Sequence, residues 1–443
     1  MPILWKMCKK RLSLHMNFKQ LTIIHNMKSI RLLALATAFF CTSISNAQKY
    51  VGGDISLLSK YEEQNATYLD KDGGSISDVL SFLKQQGWNT MRVRLFVDPS
   101  KDTDKSVCQD LEYVKKLGKR IKEAGLLLML DFHYSDTWAD PSHQAVPQSW
   151  IAINTPTYEY IYTYTKESLE ALVAVGATPD FIQIGNEISF GMLWDGCRLY
   201  SKSETDWTDY SDQNWESFAT ALKNASKACR EVCKEAKIII HTEQCANNPT
   251  LDVAFFNRIK DKGVDYDVIG VSYYPYFKGR LSNLDNGLTQ LENNFPDKKI
   301  QLVETGYPSK WAVPGTSFDY TATYPYSHEG QRKYTADLIT MLNKHKQVDG
   351  LSWWYAEANA KGCTGNLNSG WYNASLFDNE TGKALPALYE LKNFLGSESG
   401  IGSVGADKAD DPFWYSLDGK MLSSRPTAKG IFLNSGKKIV IKQ

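Results

Sequence analysis

Residues 89–134 read NTMRVRLFVDPSKDTDKSVCQDLEYVKKLGKRIKEAGLLLMLDFHY. Two short apolar runs, NTMRVRLFV and LLLMLDFHY, enclose a longer segment with a different period. Within CQDLEYVKKLGKRIKEAG the apolar residues recur at three and four, the spacing of one helix face. Gly125 closes that segment, where a left-handed C-terminal cap is wanted. The unit is therefore strand, helix, strand. It repeats along the chain: YVGGDIS, DFIQIGNE, KIIIHTE, DVIGVSYY, KIQLVET and GLSWWYA complete a set of eight runs, with helical patterns between them. Eight strands, each followed by a helix, define a (β/α)8 TIM barrel, expected over residues 48–395. An open doubly wound sheet is the rival. It lacks its phosphate loop here, because GGDISLLSKYEEQ after the first run has no GxGxxG spacing.

Outside the barrel the texture changes. SESGIGSVGADKADDP is small and polar, a linker over 396–412. Residues 413–443, FWYSLDGKMLSSRPTAKGIFLNSGKKIVIKQ, read as short strands broken at DG and SG turns, a small β-rich C-terminal tail. At the other end, MKSIRLLALATAFFCTSISNAQ has basic residues, a short apolar run and a small-x-small site at Ser45-Asn46-Ala47. Residues 27–47 are therefore expected to be a signal peptide, with 1–26 an upstream extension. A secreted or cell-surface protein is expected, acting as a monomer. Lys plus Arg number 50, as do Asp plus Glu, so net charge is zero. That balance excludes nucleic acid or an anionic membrane as the main partner. Of eight cysteines, Cys8 and Cys41 fall in the leader. The others are too scattered for a disulfide scaffold and form no CxxC pair, although one or two disulfides would suit an exported chain.

A barrel of this kind carries its active site at the C-terminal ends of its strands. The second strand supplies Arg92 and Arg94, two apart and so on one face. The third supplies Asp131 and His133, followed by Tyr134, Asp136 and Trp138. Asn186 and Glu187 end the fourth, His241 and Glu243 the fifth, Tyr273 and Tyr274 the sixth. Glu304 ends the seventh, and Trp353 and Trp354 the eighth. Any one polar ending is usually a satisfied hydrogen bond; together they describe a cleft.

Carboxylates on strands four and seven suit glycoside hydrolysis, in which one carboxyl donates a proton and the other attacks the anomeric carbon. Arg92 or Arg94, with a tyrosine from strand six, would keep the attacking group charged. Asn186 could bond a sugar 2-hydroxyl, and Trp353 or Trp354 could floor a sugar ring. Because Asn186 and Glu187 are consecutive, strict alternation would send them to opposite faces. A bend is expected there.

At these residues the chain resembles a known family. QIGNEISFGMLW (183–194), VETGYP (303–308), DFHYSDTWADP (131–141) and GGDISLLSKYEE (52–63) look like the family 53 glycoside hydrolases. These are endo-β-1,4-galactanases of the clan with catalytic glutamates on barrel strands four and seven. The resemblance runs from residue 50 to about residue 392. It implies Glu187 as acid/base, Glu304 as nucleophile, net retention, and endo attack on the β-1,4-galactan of pectic arabinogalactan type I. No cofactor is needed for that chemistry. A structural calcium, known in many bacterial relatives after strand eight, would fall here to Asn366, Asn368, Asp378 and Asn379, oxygen ligands of the type calcium prefers; a plain solvated loop is the alternative. SWWYAEA replaces the Trp-Glu-Pro of many relatives. The insertion CRLYSKSETDWTDYSDQNW could shape outlying subsites with Trp207 and Trp215, or pack on the rim. YSLDGKML…KGIFLNSGKKIVIK resembles the C-terminal sorting tails of Bacteroidetes proteins, which implies an export-machinery partner. The competing functions are a clan relative acting on mannan or xylan, and a non-catalytic glycan-binding barrel.

Overall fold

The computed structural model describes residues 48–194, 196–200, 208–363, 367, 370–396 and the strands of a C-terminal sheet between 414 and 441. The proposed leader, the linker after Gly396, Trp207, Asn366 and Asn368 lie outside the described residues.

Eight strands form the barrel: β1 (Tyr50–Asp54), β2 (Thr90–Leu95), β3 (Leu127–Phe132), β4 (Phe181–Ile184), β5 (Lys237–Thr242), β6 (Val268–Tyr273), β7 (Lys299–Thr305) and β8 (Val348–Trp353). Every neighbouring pair is parallel, and β1 closes on β8 with Gly52 opposite Ser352. The intervening helices are α1 (Val79–Gln85), α2 (Leu111–Glu123), α3 (Thr157–Ala174), α4 (Asp212–Val232), α5 (Pro249–Asp261), α6 (Leu281–Asn294), α7 (His328–Leu342) and α8 (Pro386–Glu390). The sequence pattern explains them locally. Asp110 caps α2 by accepting the Tyr113 N–H, and Val114, Leu117 and Ile121 form its buried stripe. Gly125 then turns the chain out at φ +70°.

The apolar residues divide into two bodies. The larger lies between strands and helices. A separate cluster of Met129, Phe181, Ile239, Val268 and Val303 draws on five different strands. In a closed barrel such residues can meet only inside it. They fill the lower interior, and above them the inward positions turn polar: Arg92, Asp131, Gln183, His241 and Ser272 are all buried. This polar upper layer is the base of the cleft.

Three expectations resolve here. The six described cysteines are all free thiols; Cys197, Cys229 and Cys245 are packed as core residues rather than joined in disulfides. Trp215 does not shape a subsite. It is fully buried at the start of α4, edge-on to Tyr200 and Phe218, with the Arg258 guanidinium 4.0 Å from its ring centre. The C-terminal tail forms an antiparallel sheet of β9 (Trp414–Ser416), β10 (Met421–Leu422), β11 (Gly430–Asn434) and β12 (Lys437–Ile441), ordered β10-β9-β11-β12.

Candidate active site

Glu187 stands on a turn that the backbone makes only with difficulty. β4 ends at Ile184; Gly185 follows at φ +101° and Glu187 at φ +49°, ψ 54°, a left-handed conformation. For a residue with a Cβ this costs about 1–2 kcal/mol. The bend turns Asn186 and Glu187 toward one cleft, as their adjacency demanded. Four hydrogen bonds hold it. Gln144 Nε2 donates to the Asn186 carbonyl (2.9 Å) and Asn186 Nδ2 to the Ala139 carbonyl (2.8 Å). The Glu187 N–H donates to His241 Nδ1 (3.3 Å), and Ser189 Oγ to Glu243 Oε1 (2.6 Å).

Glu304 reaches the cleft by a different device. Val271 pairs with Leu302, but the next residue, Ser272, pairs with Glu304, so β7 carries a bulge at Val303. A bulge cancels one alternation. Val303 therefore joins the interior apolar cluster while Glu304, its neighbour, also faces inward. Arg92 Nη2 lies 2.8 Å from Glu304 Oε1, and Tyr274 donates its hydroxyl to Oε2 at 2.9 Å. Arg92 is the hub of the layer. It also contacts Asp54 (3.1 Å), Asp131 (2.8 Å), Gln183 (3.3 Å) and Asn186 (3.0 Å).

Burial pushes both carboxyls upward from the ordinary range, but their neighbours differ. At Glu187 the like charges of Glu304 and Glu243 add to the rise, against Lys278 and a hydrogen bond from Ser272. At Glu304 the Arg92 guanidinium is the main opposing influence, helped by Tyr274. A proton shared by the pair therefore resides on Glu187 and the charge on Glu304. His241 is held neutral, chiefly by burial and then by Arg92. Donors from Gln183 and the Glu187 backbone point at its Nδ1, so Nε2 carries the hydrogen and donates to Ser272 Oγ at 2.6 Å. Burial likewise lowers His133, whose Nδ1 accepts the Ala139 N–H and whose Nε2 lies 3.1 Å from Asp131.

The structure separates the alternatives left by the sequence. Arg92, not Arg94, meets Glu304; Arg94 pairs with Asp54 (2.7 Å) and lies 4.8 Å from the ring centres of both Trp138 and Trp354. Tyr274 enters the cleft, whereas Tyr273 is buried with its hydroxyl on the Gly279 carbonyl. Trp354 lines the cleft beside Trp138; Trp353 points into the helix layer, fully buried, with Nε1 on the Ala374 carbonyl. Asp136 stands away from the cleft lining and accepts the backbone N–H groups of Asp98 and Gln148, pinning a loop. Asp378 does not fit a cation. Lys310 (3.3 Å), His328 (3.1 Å) and the N–H groups of Glu380 and Thr381 already surround its carboxylate. Among the described residues no group of three or more His, Cys, Asp or Glu side chains could hold a metal. Sequence reasoning passed over Asp54, which ties Arg92 to Arg94, and Gln183, which links Asp131 to His241. Asp54 ends β1 as visibly as the others end theirs. Phe277 and Lys278, from the one-turn helix Pro275–Lys278 after β6, and Trp371, from the loop after β8, complete the wall; segments this short gave no periodic signal.

These groups surround an open cleft of about 570 Å³ in which Glu187, Glu243, Glu304, Asn186, Trp138 and Trp354 are all on the wall. A parallel barrel with paired carboxyls on β4 and β7 at such a cleft is that of a glycoside hydrolase. The family follows from comparison: the profile of glycosyl hydrolase family 53 matches residues 50–391, and the chain belongs to that family. An arabinogalactan endo-β-1,4-galactanase of Cellvibrio japonicus is 32% identical over 385 residues, covering 81% of this chain and 96% of the relative. The solved GH53 catalytic domain of Ignisphaera aggregans superposes with a TM-score of 0.68 at 31% identity, covering 78% of this chain and 95% of that one. A solved fungal β-1,4-galactanase gives 0.65 at 27% identity, covering 78% and 99%.

Proposed function

We propose that this chain is an exported, retaining endo-β-1,4-galactanase acting on the galactan side chains of pectic arabinogalactan type I. The observation that carries the reading is the unequal surroundings of two carboxyls in one cleft. Glu304, beside Arg92 and Tyr274, attacks the anomeric carbon, while Glu187 gives its proton to the departing glycosidic oxygen. A galactosyl ester on Glu304 results. Glu187, now ionised, takes a proton from water, which attacks the same carbon, and the ester breaks with overall retention. Asn186 has one amide hydrogen on Ala139 and one left for a sugar 2-hydroxyl. Trp354, its ring held by two arginines, offers an apolar floor. The substrate class is supported by the names of the relatives, and export by the leader-like segment and the sorting-like tail.

Product analysis tests this directly. Incubation with pectic galactan, mannan and xylan is expected to release short galactooligosaccharides from the first alone. Release from mannan or xylan only would move the enzyme to another substrate, and binding without cleavage would make it a lectin-like barrel. Glu187→Ala is expected to reduce galactan hydrolysis by about a thousandfold or more, since it removes both proton transfers. An aryl galactobioside with an acidic leaving phenol needs no protonation, so its first step should be largely preserved and a burst of phenol seen. Equal loss on both substrates would remove the acid/base role from Glu187.

A further inference from the structure

A third carboxylate in the cleft wall has no part in the chemistry above. Glu243, just beyond β5, is completely buried beside Glu187 and Glu304. Its Oε1 accepts from Ser189 Oγ at 2.6 Å and from the Gln244 side chain, whereas Oε2 is buried without a hydrogen-bond partner. An orphaned buried carboxylate oxygen costs stability, so its presence at this place calls for a reason. Ser189 belongs to the single helical turn Ile188–Phe190 that begins at left-handed Glu187 and ends at Gly191, φ +89°. The hydrogen bond from Ser189 to Glu243 is thus the tie made by a side chain of the strained turn to the β5 side of the barrel wall, beside the Glu187 backbone N–H on His241 Nδ1.

We propose that Glu243 is a positioning residue for Glu187: it pins the turn that carries the acid/base through Ser189, and its negative charge beside Glu187 keeps the proton there until the leaving group needs it. This rests on the acid/base role proposed for Glu187. The charged and titratable groups facing Glu187 are Glu304 from β7, Glu243 and neutral His241 from β5, and Tyr274 and Lys278 from the segment after β6; Asp252 of α5 faces Glu243 from behind. Burial pushes the Glu243 carboxyl upward, opposed first by Lys278, the only cation in this set, and then by the two donors on Oε1; its like charge adds to the rise at Glu187. Repulsion between Glu243 and Glu187 therefore raises the pH at which Glu187 loses its proton.

Glu243→Gln keeps an oxygen acceptor for Ser189 but removes the charge. The basic limb of its kcat/KM profile on galactan should move down by about one pH unit, a size suited to a like charge on the wall of the same cleft, with the acid limb little changed. Ser189→Ala removes the pin and leaves the charge. It should lower kcat about tenfold at unchanged KM, with the basic limb where the wild type has it; a 1 Å misplacement is enough for such a loss. An unmoved basic limb in Glu243→Gln, or an unaltered kcat in Ser189→Ala, overturns the proposal. Failure of the acid/base reading gives a different result: Glu187→Ala would then keep the wild-type basic limb and lose the same factor on galactan and on the activated aryl galactobioside.

Discussion

Replacing Glu304 by alanine is expected to lower kcat on galactan by about 10⁴-fold or more, because covalent catalysis is lost with its only nucleophile. Folding should survive, since the change removes a buried carboxyl whose burial already disfavours its charge. The variant offers a stereochemical check as well. With an activated aryl galactoside and added azide, the small anion can occupy the space left by Glu304 and attack from that side. The product should be the α-galactosyl azide. In Glu187→Ala the ester on Glu304 forms first, so azide should give the β-anomer. Proton NMR of the two azides separates the roles, and identical anomers from both variants would contradict them.

Arg92→Met should be the most damaging single change to the fold of the mouth. Its guanidinium is fully buried and serves Asp54, Asp131 and Glu304 together, with Gln183 and Asn186 as further acceptors. Removing one partner of a buried ion pair leaves an uncompensated charge and costs about 3–5 kcal/mol, and here three carboxylates lose the same cation. The midpoint of urea unfolding should fall accordingly with little change in slope. The sign of the pH effect follows from Glu304. Without Arg92 its carboxyl takes up a proton at higher pH, so the acid limb of activity must move upward. Asp131, held low in the folded protein with Arg92 as its largest stabilising neighbour, adds stability above its unfolded pKa that is lost as pH falls. That contribution shrinks in the variant. A stable Arg92→Met protein with an unshifted acid limb would show that the hub is dispensable.

The eight strand–helix units were legible because parallel barrel strands are buried on both faces and read as short apolar runs between helical patterns. The polar strand ends were legible for the opposite reason, since a carboxylate terminating an apolar run is a local anomaly. What the sequence left open was the choice within adjacent pairs. Tyr273 and Tyr274, or Trp353 and Trp354, are chemically the same residue twice, and only the register against neighbouring strands says which one enters the cleft. The bulge at Val303 has no residue signature, because valine fits a regular strand and an irregular one equally well. Asp136 misled through company: it follows a site histidine by three positions, yet its role is to hold two loop amides.

The two described sheets differ in what they leave unpaired. In the barrel β1 bonds to β8, so every strand has a neighbour on both sides and no rim of open peptide groups remains. The C-terminal sheet is open, with β10 and β12 outermost. Such edges are templates for strand addition. β10 spans only Met421–Leu422, whereas β12 extends over Lys437–Ile441, paired along one side by β11. Among the described strands, docking by β-augmentation is therefore confined to the tail, and its longer landing site is β12.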